Sequence, residues 1–138
     1  FAEYEMLTNK MYEDGESLTA DNLSSVYLEL NKKYYGSDII SDEQIAYEWA
    51  RIPHFYYNFY VYQYATSYCA AFSVAHKILE EGTPAVERYK KFLSGGCSMA
   101  PVELLKIAGV NLETPAPIQD ALNAFGEIIK EMETLVED

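Results

Sequence analysis

The chain has 138 residues, one domain or a part of a larger one, and 49% of them are hydrophobic, enough for a real core. A formal net charge of −12 and an isoelectric point near 4.5 argue against a nucleic-acid binder, which needs basic patches. No apolar run reaches membrane-spanning length and no signal peptide is visible, so no membrane partner is expected. Two cysteines, Cys69 and Cys97, belong to no CxxC pair and suit a reduced, cytoplasmic chain.

In chain order, Phe1 to Asp14 carries Met6, Leu7, Lys10 and Met11 at helical spacing, and Gly15 stops it. The chain begins at Phe1, not Met, inside what reads as a helix, so a fragment is expected. Thr19 is an N-cap candidate for a helix through Tyr35, with a stripe of Leu23, Val26, Tyr27 and Leu30 and Gly36 after it. Ser41 with Gln44 forms a capping box for a third helix, which contains Ile45, Tyr47 and Trp49 and ends before Pro53. From Phe55 to Glu81 nothing breaks a helix until Gly82. A strand from Phe55 to Tyr62 is conceivable, but the polarity does not alternate and a helix is preferred. Thr83-Pro84 opens a helix to Leu93, stopped by Gly95-Gly96. Ser98 and Pro101 start a short helix, Val102 to Ala108, closed by Gly109. Thr114 and Pro117 precede the last helix, whose stripe is Ile118, Ala121, Leu122, Phe125, Ile128, Ile129, Met132, Leu135 and Val136. The expected fold is all-α with about seven helices. The acidic residues, including Glu127, Glu131, Glu133, Glu137 and Asp138, read mostly as a solvated surface.

One stretch exceeds what a core requires. Six of the 13 tyrosines lie between Tyr56 and Tyr68, and His54 precedes them directly after Pro53. On a continuous helix, Tyr57, Tyr60, Tyr64 and Tyr68 share one face, while Phe55, Phe59, Tyr62, Thr66 and Cys69 share the other. Buried phenol hydroxyls need partners, so the run is either two packed faces or a polar wall lining a cleft. In a cleft, phenols could donate hydrogen bonds to a peptide carbonyl or a developing oxyanion. His76 carries little weight, and two histidines without HExxH make no zinc site. Nucleotide-binding glycine patterns and a G-x-S-x-G elbow are absent from the sequence. The residues alone leave open a helical peptide-binding module, a structural module and part of an enzyme.

The run Ile52-Pro53-His54-Phe55-Tyr56-Tyr57-Asn58-Phe59-Tyr60-Val61-Tyr62-Gln63-Tyr64-Ala65-Thr66 resembles the C-terminal signature of the oligoendopeptidase F branch (M3B) of the M3 family of zinc metallopeptidases. Phe1-Ala2-Glu3-Tyr4-Glu5, the stretch from Leu28 through Tyr34-Tyr35-Gly36, Ala85-Val86-Glu87-Arg88-Tyr89, Phe92-Leu93-Ser94-Gly95-Gly96 and the segment from Pro101 to Val110 resemble it too. The resemblance implies a zincin-like, neurolysin-type helical fold with a deep channel for oligopeptide substrates. It implies that residues 1–138 are the C-terminal helical portion of the catalytic domain, without the HExxH half. Zinc would then be the parent enzyme's cofactor, with no metal ligand in this chain and no activity in isolation. Faces that meet the missing portion would expose apolar surface and favour self-association. By the same resemblance, His54 contacts substrate, Tyr64 is the leading oxyanion stabiliser and Tyr57 is a second substrate-facing tyrosine. The thimet-type branch has a glycine-rich loop between the histidine and the first tyrosine. This chain lacks it, which leaves Tyr56 and Tyr57 as alternatives, with the helical wheel favouring Tyr57.

Overall fold

The computed structural model describes residues 1–136, and these are helical, with no strand among them. Six α-helices occur: α1 (Ala2–Glu13), α2 (Ala20–Tyr35), α3 (Tyr62–Glu81), α4 (Thr83–Ser94), α5 (Pro101–Ile107) and α6 (Ala116–Val136). Two 3-10 segments, Glu43–Arg51 and Pro53–Tyr56, lie between α2 and α3. The expected all-α fold is therefore present. Of the acidic end, Glu137 and Asp138 lie outside the described residues.

The chain divides into two compact units, Phe1–Gln63 and a second beginning at Tyr64. In the first, the Thr19 hydroxyl accepts the Asn22 N–H and caps α2 as the sequence predicts. Its core is aromatic. Tyr4 meets Tyr27 edge-on at 5.2 Å and Phe55 at 4.9 Å, and Phe55 also meets Phe1. Buried on α1 are Tyr4 and Glu5, whereas Met6 of the expected stripe is exposed. Polar links complete the packing of α1, α2 and the first 3-10 segment. Lys33 and Tyr34 of α2 both donate to the Glu3 carboxylate, Tyr27 donates to Glu48, and Trp49 donates to the Ser24 hydroxyl.

The third expected helix departs from the sequence reading. It is a 3-10 segment, and its cap is Asp42, whose carboxylate accepts the Ile45 N–H. Ser41 instead donates to the Asn31 side chain. The ionised carboxylate of Asp42 is the stronger acceptor, and its neighbour's hydroxyl is taken up by a tertiary partner.

The long aromatic helix from Phe55 to Glu81 is also corrected. Pro53–Tyr56 forms one 3-10 turn, and α3 starts at Tyr62. Between them, Phe59 has φ of +56°, a left-handed conformation that interrupts any helix and costs a bulky residue roughly 1–3 kcal/mol. Tyr57 and Tyr60 therefore do not share a helix face with Tyr64 and Tyr68. Phe55 reaches the core through the 3-10 turn, and Phe59 is exposed.

In the second unit, Ala70 and Val74 of α3 pack with Ala108 and Val110. Ile78, Tyr89, Phe92, Leu105 and Leu112 surround them. The chain stops where the glycines predict, with Gly95 ending α4 and Gly109, at φ of +84°, following α5. Gly82 rather than Thr83 is the N-cap of α4, and Pro117 lies inside the first turn of α6 rather than before it. On α6 only Pro117 and Ala121 are buried among the described residues, and much of the apolar stripe, including Leu122, Phe125, Ile128 and Met132, is exposed. Among the described residues no helix is long and apolar enough to cross a membrane.

Candidate functional site

The turn from His54 to Val61 gathers the first unit's candidate residues. The Tyr57 N–H donates to the His54 carbonyl and closes the 3-10 turn that Pro53 begins. Proline fits this first position because its missing N–H would have had no partner there. The chain then doubles back through Phe59, and the rings of His54, Tyr57 and Tyr60 come together. Tyr60 stacks on the His54 ring at 5.4 Å with 20° between planes, and Tyr57 meets it edge-on at 6.1 Å. The two phenol rings meet each other at 6.0 Å. His54 is half-buried, while Tyr57 and Tyr60 are exposed. The three rings thus form a polar-tipped surface patch fixed by ring packing.

Of the alternatives left open by the sequence, Tyr57 is the one whose ring lies on His54. Tyr56 is exposed, and its charge is a lesser cause, after burial, of the raised Tyr4 pKa. Tyr64 belongs to the second unit, in the first turn of α3, and is exposed. The exposed Tyr68 follows one turn later.

Two features of this region escaped the sequence reading. Tyr60, one of the four tyrosine-face residues, is the ring stacked on His54. Glu5 departs from the mostly solvated acidic surface and is only 3% exposed. Its two carboxylate oxygens accept the backbone N–H groups of Tyr60 at 3.1 Å and Val61 at 3.3 Å. These amides lie at the start of α3, where N–H groups have no partner within the helix and a negative charge is favoured. A carboxylate beside a buried tyrosine on α1 was the available signal, but nothing local names its partner, because the bonded residues lie 55 and 56 positions away.

The strongest electrostatic effects sit beside this patch. Burial pushes the Tyr4 phenol well above its ordinary value, and the Tyr4 hydroxyl has no hydrogen-bond partner among the described residues. Burial raises Tyr27 as well, helped by its hydrogen bond to Glu48. At the exposed edge, the Lys33 and Tyr34 hydrogen bonds hold the Glu3 carboxyl below the usual range. His76, stacked on Phe72 and within 3.4 Å of Glu80, belongs to a separate exposed helix face. Among the described residues, no group of three or more His, Cys, Asp or Glu side chains could hold a metal ion.

Comparison with known proteins gives this geometry its context. The peptidase family M3 profile matches residues 1–124. Oligopeptidase PepF of Bacillus subtilis is 51% identical over 136 residues, which are 99% of this chain and 20% of that protein. The chromosomal oligoendopeptidase F of Lactococcus lactis subsp. cremoris is 42% identical over 137 residues, 99% of this chain and 23% of that protein. The crystal structure of oligoendopeptidase-F from Enterococcus faecium matches with a TM-score of 0.87 at 43% identity, covering 99% of this chain and 26% of that one. The chain spans between 20% and 26% of the length of these relatives. Matched over nearly its whole length in sequence and in fold, the chain belongs to peptidase family M3.

Proposed function

We propose that this chain is the C-terminal part of a zinc-dependent endopeptidase that hydrolyses short peptides, and that it supplies groups that hold substrate and stabilise developing charge. The observation that carries the reading is the packed His54–Tyr57–Tyr60 patch, which falls within the run that resembles the family's C-terminal signature. Such a patch offers hydrogen-bond donors and acceptors on rigid rings, which lose little freedom when a peptide docks.

The chain's own residues do not fit a zinc centre, since the described residues include no suitable cluster and the sequence contains no HExxH. On this reading the metal's ligands belong to the remainder of the protein. What this chain contributes is binding and charge stabilisation. His54 and Tyr57 hydrogen-bond the peptide. The neutral phenol of Tyr64 donates to the scissile carbonyl oxygen as negative charge builds on it. A donor that is stronger toward the developing oxyanion than toward the ground-state carbonyl raises turnover rather than affinity. The chain in isolation is inactive on this reading, and its partners are oligopeptides and the HExxH-bearing portion of the same protein.

His54→Ala and Tyr57→Phe, made in the full-length protein, test the binding role. Each should lower kcat/KM for a short peptide at unchanged zinc content. Wild-type values in both variants would remove the patch from substrate recognition.

A further inference from the structure

Glu5 is buried, charged in type and committed to backbone groups across the fold. Its two oxygens meet two consecutive N–H groups, Tyr60 and Val61, immediately after the left-handed residue Phe59. Met6, Phe59 and Tyr62 border the same shallow depression as Glu5. A left-handed phenylalanine persists only where surrounding contacts over-determine it. The pair of bonds to Glu5 fixes the peptide units that follow it. The turn in turn carries the Tyr60 ring onto His54 and Tyr57.

We propose that Glu5 is a positioning residue for the His54–Tyr57–Tyr60 patch. By binding the Tyr60 and Val61 amides, its carboxylate holds the strained turn at Phe59 and so sets where the three rings stand. The same contact lies immediately before the first residue of α3, Tyr62. In this proposal Glu5 acts on the reaction through the three rings, by way of the Tyr60 and Val61 amides. The proposal rests on the peptidase reading above for its catalytic consequence, but the mechanical part stands on hydrogen bonds alone.

The chemistry of the carboxylate defines the test. Gln at this position keeps one acceptor oxygen and places an NH2 group where the second N–H needs an acceptor. In the full-length protein, Glu5→Gln should speed amide exchange over residues 57–62 at least tenfold, while α2 and α4 keep their protection. A misplacement of the rings by about 1 Å should lower kcat by about 10- to 100-fold. Zinc content should stay at the wild-type level. Glu5→Asp keeps the charge with a shorter reach, so it should fall between wild type and Glu5→Gln. It also carries the comparison if the Gln variant does not fold. Turnover per folded, zinc-loaded molecule equal to wild type would overturn the proposal and leave Glu5 a purely structural cap. Unchanged exchange over residues 57–62 would overturn it at the earlier, mechanical step. A wild-type protein that cleaves no peptide would instead remove the peptidase reading, with the exchange data still deciding whether Glu5 holds the turn.

Discussion

At the residue scale, burial decides how Tyr4 and Tyr27 behave toward alkali. Their phenols sit in a cluster with Phe1 and Phe55, and desolvation opposes ionisation. Both folded-state pKa values lie above the ordinary 10.0, so the folded state keeps protons that the unfolded chain releases. The sign is that of a raised group. The stabilisation is fully present below the unfolded value and is lost as pH climbs through the folded one. Thermal melting of this chain should therefore hold steady to about pH 10 and decline above it. Tyr4→Phe should make the decline shallower by removing one titrating phenol. A melting temperature flat to pH 12, or an identical decline in the variant, would contradict this account. Glu81 shows the opposite sign more weakly at the surface. Its ion pair with Arg88 lowers its pKa, so that contribution is present at neutral pH and fades in acid.

At the element scale, the turn between α4 and α5 offers the sharpest steric test. A Cβ on Gly95 would run into Leu104 Cδ1 and sit 3.2 Å from the Phe92 carbonyl oxygen. Leu104 is buried and has little room to turn aside. Gly95→Ala should therefore destabilise by about 1–3 kcal/mol, read as a lower denaturant midpoint. An unchanged midpoint would show that Leu104 can swing away. Elements such as α2, α4 and α5 were legible in the sequence because their signals are local: Thr19 at one end of α2, and Gly95 and Gly109 where the chain must turn. The start of α3 was not legible for the converse reason. Aromatic residues from Phe55 to Tyr64 carry no break signal, and the break arises from a left-handed Phe59 and a carboxylate more than fifty positions away. The candidate site was half legible. His54 and Tyr57 were named and do pack together, but the helical wheel used to relate Tyr57 to Tyr64 does not exist in the fold. Tyr60 and Glu5 required the tertiary structure.

At the scale of the whole molecule, α6 presents an exposed apolar face. Leu122, Phe125, Ile128 and Met132 recur at helical spacing and are all exposed. A contiguous apolar stripe of this kind associates in water. The 138-residue chain alone should therefore self-associate in sedimentation experiments, and Phe125→Lys with Ile128→Lys should return it to monomer. A monomer at all concentrations before substitution would contradict that expectation. In the proposed function this chain brings charge-stabilising groups to a peptidase reaction. Its most direct test is steady-state peptide hydrolysis by the full-length protein carrying Tyr64→Phe, with zinc measured in the same samples. Loss of one oxyanion donor should lower kcat by about 10²–10³ with zinc content unchanged. A variant with wild-type kcat would contradict the claim.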